Sequence, residues 1–190
     1  MCQGTAEGLR ETGMEVDIIP LARLRIAHCT GCLHCRDGNG CIIVDDMTQV
    51  FREIAETDLL VAATPIHFSG PSSILKTVLD RCNPFWYAPT SHPKYMAALL
   101  CGGRPVPNFQ NTISILRAFG ATLGTEWRGE LALGGADKTT PDVFRQQAFS
   151  YGLELGSRCG RPCRSPAGRC QPRSPCSRSR RSDSDDGCTG

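Results

Sequence analysis

The sequence predicts an α/β protein built on a parallel sheet. Two nearly uninterrupted apolar runs, residues 58–66 and 94–101, have the length and composition of strands buried on both faces. Segments with the three-to-four apolar spacing of amphipathic helices occur at residues 47–55 and 74–79. Strands that alternate with helices form parallel sheets. With 190 residues and 40% hydrophobic content, we expect one folded domain.

Local patterns place the other elements. Asp45 and Asp46 are suitable N-cap residues for the helix that follows them, and Pro71 suits the first turn of the next helix. The further predicted elements are a helix over residues 5–12, a strand over 14–21, a helix near 113–119, a strand near 127–133 and a helix over about 141–155.

Four cysteines within a short glycine-containing loop form the most informative motif. Cys29, Cys32 and Cys35 are separated by two residues each, and Cys41 follows after five more. Disulfides within so short a run would be strained, and zinc sites more often use two well-separated pairs. Compact runs of this kind instead hold [4Fe-4S] clusters. The motif therefore favours a cluster, with zinc and free or redox thiols as alternatives.

Residues 158–190 differ from the rest in composition. They contain eight Arg, six Ser, five Cys and four Pro, no aromatic residue, and Ala167 as the one apolar side chain besides cysteine. Such a segment cannot bury enough surface to offset its ordering entropy. We therefore expect a folded domain at residues 1–157 and a disordered tail at 158–190. A frameshifted or misannotated end is a further interpretation of the same composition.

The charge distribution bears on nucleic-acid binding. Eight Arg and three Asp give the tail a charge of +5, so the formal net charge of +2 leaves −3 for residues 1–157. A basic tail could bind nucleic acid, but it lacks aromatic residues and periodicity, so a solvated tail is favoured.

Several of these motifs occur together in a known family. They are a strand, CTGCLHC with Cys41, the Asp-Asp-Met helix start at residue 45, and ATPIHFSGPSSILKTVLDR from residue 63. In this combination, over roughly residues 5–157, the chain resembles the NADPH-dependent FMN reductase and iron-sulfur flavoprotein family. The resemblance implies a flavodoxin-like, doubly wound parallel sheet with FMN at the carboxyl ends of its strands.

The resemblance also implies which residues hold the cofactor. By position, the loop around the isoalloxazine ring is Thr64, Pro65, Ile66, His67, Phe68 and Ser69, and a second loop is Cys101, Gly102 and Gly103. A flat ring with a polar edge needs backbone groups brought close, which turns and small residues permit. Gly102-Gly103 alone is equally compatible with an ordinary turn. His67 is a proton donor or nicotinamide contact, or a turn residue packed on Phe68, and packing is favoured.

One departure from the family concerns the start of the chain. Family members begin with a hydrophobic strand and a loop rich in Gly, Ser, Asn and Thr that wraps the FMN phosphate at a helix N-terminus. Nothing ahead of Gly4 has the pattern of that strand. We therefore expect an N-terminally truncated sheet, either from an incompletely read gene or as a genuine remnant. Weak FMN binding or poor solubility would follow.

Other residues have more than one interpretation. The aromatic run at residues 85–87 would cover a flavin face, form a dimer contact, or plug the core under a long loop. Lys76 and Arg81 are expected to be solvated charges. Cys82 and Cys101 are expected to be small buried hydrophobic residues.

The leading functional interpretation is an FMN-dependent NAD(P)H oxidoreductase or electron-transfer flavoprotein. A [4Fe-4S] cluster would carry single electrons; without it, a flavin or quinone reductase is favoured, with thiols beside the active site. The alternative is a non-enzymatic zinc-binding or degenerate flavodoxin-like domain.

The sequence also suggests a cellular setting. Because no segment resembles a secretory signal or a membrane span, a cytoplasmic protein that does not bind membranes is expected. Expected partners are flavin and nicotinamide nucleotides, a redox protein, and further copies of the chain in a homodimer or higher oligomer, but not nucleic acid.

Overall fold

A computed structural model describes residues 1–89 and 93–160. The strands are β1 (Leu59–His67), β2 (Gly70–Pro71), β3 (Tyr95–Cys101) and β4 (Glu126–Leu133). The helices are α1 (Cys2–Glu11), α2 (Met47–Glu56), α3 (Ser73–Arg81), α4 (Asn83–Tyr87), α5 (Gln110–Thr122) and α6 (Pro141–Cys159). Single 3₁₀ turns occur at Leu21–Arg23 and His34–Asp37.

The strands form one sheet in the order β2-β1-β3-β4. β3 runs parallel to both β1 and β4, which confirms the predicted parallel sheet. β2 is a short strand that returns antiparallel to the end of β1. Helical crossovers connect the parallel strands, as parallel pairing requires.

Helices cover both faces of the sheet, and β3 shows why its sequence is wholly apolar. Ala97 and Leu99 point to a cluster that includes Leu9 of α1 and Leu155 of α6. Alternate residues of β3 point the other way, into a cluster with α3 and α5. A third cluster joins α2, α3 and α4 beside this second layer. The fold is therefore doubly wound, as predicted.

The segment at residues 14–21 departs from the prediction. Its alternating pattern predicted a strand, but residues 14–20 have no regular secondary structure, and Leu21 begins a 3₁₀ turn. Met14 and Val16 nevertheless pack against the cluster that contains Leu9 and Ala97. The alternation thus indicated the partial burial of Met14 and Val16 correctly, whereas Ile18 is exposed. A strand also needs a neighbouring strand to pair its N–H and C=O groups, and none of the described residues supplies one here.

The structure tests the prediction for the C-terminal segment only in part. α6 continues to Cys159, past the expected domain end at residue 157. Most of the predicted tail, residues 161–190, lies outside the described residues, so the two-part organisation stays a prediction. Across residues 1–89 and 93–160, no helix combines the length and apolarity needed to cross a lipid bilayer.

Candidate functional site

Three loops leave the sheet side by side at the carboxyl ends of the parallel strands. Pro65 pairs with Cys101, and Cys101 pairs with Leu133, so β1, β3 and β4 end level with one another. The β1–β2 turn, residues 102–107 and residues 134–139 follow these ends. In open α/β sheets, ligands bind in the crevice outside such ends. The predicted cofactor residues lie on the first two of these loops or on the strand ends leading into them.

The β1–β2 turn presents a fully exposed aromatic ring from a strained backbone. His67 pairs with Gly70, and the two residues between them, Phe68 (φ 50°) and Ser69 (φ 64°), both have left-handed backbones. Such positions favour Gly or Asn in hairpin turns. Phe68 makes no packing contact that shields it (relative exposure 108%), so the interpretation that His67 packs on Phe68 was wrong. Strain of this kind is typical of functional segments.

Buried hydroxyls hold this turn in place. The Thr64 Oγ1 accepts a hydrogen bond from the Ser72 N–H at 2.9 Å and donates to the Pro65 carbonyl at 2.7 Å. The Thr112 hydroxyl, buried on α5, donates to the Ser69 carbonyl at 3.0 Å. Thr64 is itself buried. Its role in the described structure is therefore to fix the turn, whereas the residues of the turn itself are available to a ligand.

The glycine pair after β3 allows two loops to pack closely. A Cβ built on Gly103 would lie 2.3 Å from a carboxylate oxygen of Asp137, and one on Gly102 would lie 2.7 Å from Pro107. The Gly102 N–H also donates to the Leu133 carbonyl at 3.0 Å. Pro107 therefore restricts residue 102 to a very small side chain, whereas the exposed Asp137 side chain can move aside for a larger residue at position 103.

The sequence reading missed the loop after β4. The Ala136 N–H donates to the Gly102 carbonyl at 3.0 Å, and the Gly135 N–H donates to the Arg104 carbonyl at 2.6 Å. Residues 134–137 thus form the third wall of the site. A signal was present, because Gly134-Gly135 follows its strand as Gly102-Gly103 follows β3.

Cys82 and Cys101, the two cysteines predicted to be buried, are buried to different degrees. Cys82 is buried in the cluster with α2 and α4, as predicted, and burial strongly raises the pKa of its thiol. Cys101 is half-buried at the end of β3, and burial raises the pKa of its thiol too.

The four clustered cysteines border one small cavity. It lies between residues 28–42, here called the cysteine segment, and the start of α4. Cys29 and Cys32 are exposed, whereas Cys35 and Cys41 are half-buried. Within the described parts of the chain, no group of three or more His, Cys, Asp or Glu side chains is placed to hold a metal ion. The thiols therefore surround a common space without forming a preassembled ligand set.

The cysteine environments differ electrostatically. Burial raises the pKa of the Cys35 thiol, and repulsion from charge at Cys41, Cys29 and Cys32 raises it further. A hydrogen bond from the His34 backbone lowers the pKa of Cys32, as does one from the Thr30 hydroxyl. The Cys35 thiol thus gives up its proton less readily than the Cys32 thiol.

Arg81 is not the solvated charge that was predicted. Its side chain is fully buried, and its guanidinium donates to both carboxylate oxygens of Asp45, at 2.7 and 3.1 Å. Burial alone would raise the pKa of Asp45, but hydrogen bonds from Arg81 and from the Ala27 and Met47 N–H groups hold it below its usual range. The bond to Asp45 raises the pKa of Arg81. Lys76 is exposed, as predicted.

The aromatic run at residues 85–87 divides between core and surface. Phe85 is buried, and its ring meets that of Phe51 edge-on with centroids 5.8 Å apart, which supports the core-plug interpretation for this residue. Trp86 is exposed, and Tyr87 borders the cysteine cavity.

The cysteine cavity and the strand-end loops lie at opposite ends of α3. Ser73 begins this helix next to the β1–β2 turn, and Arg81 ends it against the cysteine segment. A helix of this length spans about 13 Å. The cysteine cavity is thus separated from the β1–β2 turn by the length of α3, although His28, next to Cys29, hydrogen-bonds Thr77 in the middle of this helix at 2.9 Å.

The fold and the strand-end loops define a flavodoxin-like α/β protein. The likeness extends to solved structures over most of the described residues. A flavone reductase superposes with a TM-score of 0.64 at 20% identity, covering 83% of this chain and 57% of that one. The NAD(P)H:quinone oxidoreductase from Methanothermobacter marburgensis has the same TM-score at 19% identity, covering 81% and 86%. At these identities the likeness establishes the fold alone.

The chain belongs to the NADPH-dependent FMN reductase family, whose sequence profile matches residues 1–124. An iron-sulfur flavoprotein of Archaeoglobus fulgidus is 29% identical over 125 residues, which are 63% of this chain and 56% of that protein. An iron-sulfur flavoprotein of Methanocaldococcus jannaschii is 33% identical over 76 residues, 40% of this chain and 39% of that protein. The chain thus spans about half the length, or less, of these curated relatives.

Proposed function

We propose that the protein is an FMN-dependent oxidoreductase that accepts electrons from NAD(P)H. The observation that carries this proposal is the meeting of three loops at the carboxyl ends of β1, β3 and β4, where the first loop holds an exposed aromatic ring on a strained turn. Family membership supports the same activity.

The residues at this edge fit a flat ring with one polar side. Half-buried Ile66 and exposed Phe68 offer apolar surface, and the backbone of the same turn offers polar groups. The close packing of residues 102–104 on 134–137 holds the second and third loops of the site together. Preorganised walls reduce the cost of ordering a site around its ligand.

When bound, FMN supplies the hydride and single-electron chemistry. The chain's own residues bind and orient the ring. Phe68 covers apolar surface and excludes water, while Thr64 and Thr112 keep its turn in one conformation. The exposed His67 imidazole lies at the same edge and offers ring nitrogens for hydrogen bonding.

Reconstitution with FMN tests this proposal. We expect the protein to quench flavin fluorescence on binding and NADPH or NADH to bleach the visible flavin band under anaerobic conditions. Phe68→Ala should weaken FMN binding several-fold, whereas Val44→Ala, which removes a highly exposed apolar side chain outside the three strand-end loops, should change it less. Absence of any FMN binding, or equal effects of both variants, would contradict the proposed site.

We further propose that Cys29, Cys32, Cys35 and Cys41 hold a [4Fe-4S] cluster that carries single electrons. The support is the chemistry of the donor set, because four thiolates ligate such clusters and all four thiols border one cavity. The names of the relatives agree with this assignment. The sulfurs would need to converge when the cluster binds.

Anaerobic purification followed by iron, zinc and sulfide assays tests the cluster. Replacing any one of the four cysteines by Ser should lower bound iron, whereas Cys2→Ser, an exposed cysteine on α1, should leave it unchanged. Stoichiometric zinc without iron would instead support the zinc-binding alternative. If the cysteine variants keep their flavin, flavin binding and metal binding by the cysteines are independent of each other.

The setting of this activity is also a proposal. We propose a cytoplasmic homodimer or higher oligomer that exchanges electrons with a redox protein. Light scattering on purified protein tests the oligomeric state, and a monomer at micromolar concentration would contradict it.

A further inference from the structure

A buried arginine joins the two ends of the cysteine segment. Besides Asp45, the Arg81 guanidinium donates to the Ala27 carbonyl at 2.8 Å and to the Ile43 carbonyl at 3.1 Å. Ala27 precedes Cys29, and Ile43 follows Cys41. Arg81 thus contacts the backbone on both sides of the segment from a position far along the chain.

Two aspartates complete the same closure. Asp45 accepts a hydrogen bond from the Ala27 N–H at 2.8 Å, and Asp46 accepts one from the Arg25 N–H at 2.7 Å. The Asp46 N–H in turn donates to the Arg25 carbonyl at 3.3 Å. These contacts link the residues just before the cysteine segment to the residues just after it. The ends of the segment are therefore held close together, although its interior is irregular.

The junction between α3 and α4 also supplies a donor to one of the sulfurs. The Asn83 side-chain amide lies 4.0 Å from the Cys29 Sγ, within reach of a weak N–H···S hydrogen bond. Arg81 borders the same cavity. Its Nε is buried and has no partner among the described residues, so the guanidinium retains an uncommitted donor. The first cysteine thus faces a nitrogen donor from this junction.

A purely structural role explains this arrangement poorly. Buried ion pairs contribute little net stability compared with apolar residues of similar size, because both charges lose their hydration. A planar guanidinium that donates to two carbonyls and one carboxylate at once fixes the relative positions of these groups, which a hydrophobic residue does not. Mutation of residues that hydrogen-bond metal ligands typically lowers metal affinity 10–100-fold.

We propose that Arg81 and Asn83 are positioning residues of the cysteine site: Arg81 closes the segment, and Asn83 donates a hydrogen bond to the Cys29 sulfur. This inference rests on the proposed metal-binding role of the cysteines. The closure itself is a property of the metal-free protein.

Two measurements on the same variants test the proposal. The variants are Arg81→Met, Arg81→Lys and Asn83→Ala, with Arg145→Met as a control that breaks an exposed Arg–Glu pair between α6 and α1, and Asn111→Ala as a control for an exposed amide. Hydrogen exchange of residues 28–42 in the metal-free protein reports closure. Anaerobic titration with Co²⁺, followed through its thiolate charge-transfer band, reports sulfur positioning.

We expect Arg81→Met to speed exchange in residues 28–42 and to weaken Co²⁺ binding at least tenfold, with partial rescue in Arg81→Lys. Asn83→Ala should leave exchange unchanged and shift the charge-transfer band, because it removes a donor without opening the segment. Both controls should match the wild-type protein. If a cluster is reconstituted, the Asn83 variant should show a more negative reduction potential.

The outcomes separate this inference from the proposed function. Folded Arg81→Met with wild-type exchange and Co²⁺ affinity would overturn the role of Arg81, and an unchanged band in Asn83→Ala would overturn that of Asn83. Should Arg81→Met fail to fold, Arg81→Lys and Asp45→Asn test the same closure. If the wild-type protein binds no Co²⁺, the metal-binding proposal and the role of the Asn83–Cys29 contact in it fail, and exchange alone decides whether Arg81 closes the segment.

Discussion

At the residue scale, Phe68 combines two unfavourable properties. It is a fully exposed aromatic side chain on a left-handed backbone (φ 50°). Neither property improves folding, since an L-residue in this region is disfavoured by about 1–2 kcal/mol. A ligand-binding role would account for both.

Phe68→Asn should therefore stabilise the protein while it weakens flavin binding. We expect the free energy of unfolding to rise by about 0.5–1 kcal/mol, because Asn suits the first position of this type of hairpin turn. Val106→Asn, on a neighbouring loop without a positive φ, should change it by less than about 0.5 kcal/mol. Urea denaturation measures both, and a destabilised Phe68→Asn would argue against strain at this turn.

Tyr151 is a second residue whose environment conflicts with its chemistry. Its side chain is buried, and its hydroxyl has no hydrogen-bond partner among the described residues. Burial raises the pKa of Tyr151 to about 12 from an ordinary 10.0. The phenol stays protonated in the folded state over a range in which the unfolded chain releases the proton. The contribution of Tyr151 protonation to the free energy of unfolding is therefore fully present below pH 10 and is lost as the pH rises towards 12.

Tyr151→Phe should remove this alkaline loss and raise the free energy of unfolding at neutral pH by about 1 kcal/mol, since an unsatisfied buried hydroxyl disappears. Denaturation curves between pH 7 and about 11 provide the measurement. Tyr87→Phe, at an exposed site, serves as the control. Parallel pH profiles for wild type and Tyr151→Phe would show that Tyr151 does not cause the loss.

At the element scale, α1 and α6 pack through backbone contact. A Cβ on Gly152 would lie 2.3 Å from the Thr5 carbonyl oxygen, and one on Gly8 would lie 2.2 Å from the Phe149 carbonyl oxygen. Rigid backbone atoms cannot move aside as side-chain tips can. The two helices would have to separate to admit either methyl group.

Gly152→Ala should destabilise the protein by about 1–3 kcal/mol despite the higher helix propensity of alanine. Ser150→Ala, two residues away on the exposed side of α6, should be neutral or slightly stabilising. Thermal denaturation of both variants compares the two effects. A stabilised Gly152→Ala would mean that the helices are less closely packed than described.

At the scale of the whole molecule, the sheet is paired unevenly. β3 has a parallel neighbour on each side, whereas β1 pairs with β2 only at Ile66 and His67 on its other edge, and β4 has one neighbour among the described strands. Backbone groups paired on both sides and covered by helices open least often.

We expect native-state hydrogen exchange to be slowest in β3 and faster in β1 and β4. Mass spectrometry after peptic digestion resolves these strands. Equal protection of β1 and β3 would indicate that another segment or another copy of the chain covers the β1 edge.

Part of this structure could be predicted from the sequence because local patterns report burial. The apolar runs of β1 and β3 predicted their parallel pairing, and the cysteine spacing identified residues that do border one cavity. The strand-end residues 64–69 and 101–103 came from resemblance to the family, and their contact with a cofactor stays a prediction.

Tertiary structure alone decided which groups meet across long stretches of chain. Residues 14–20 have the alternation of a strand, but none of the described strands lies beside them. Arg81 looks like a surface charge until Asp45 and two distant carbonyls surround it. The packing of residues 134–137 against Gly102 is equally distant in sequence. Periodicity determines which side of an element is buried, whereas hydrogen-bond partners depend on where the fold brings the other groups.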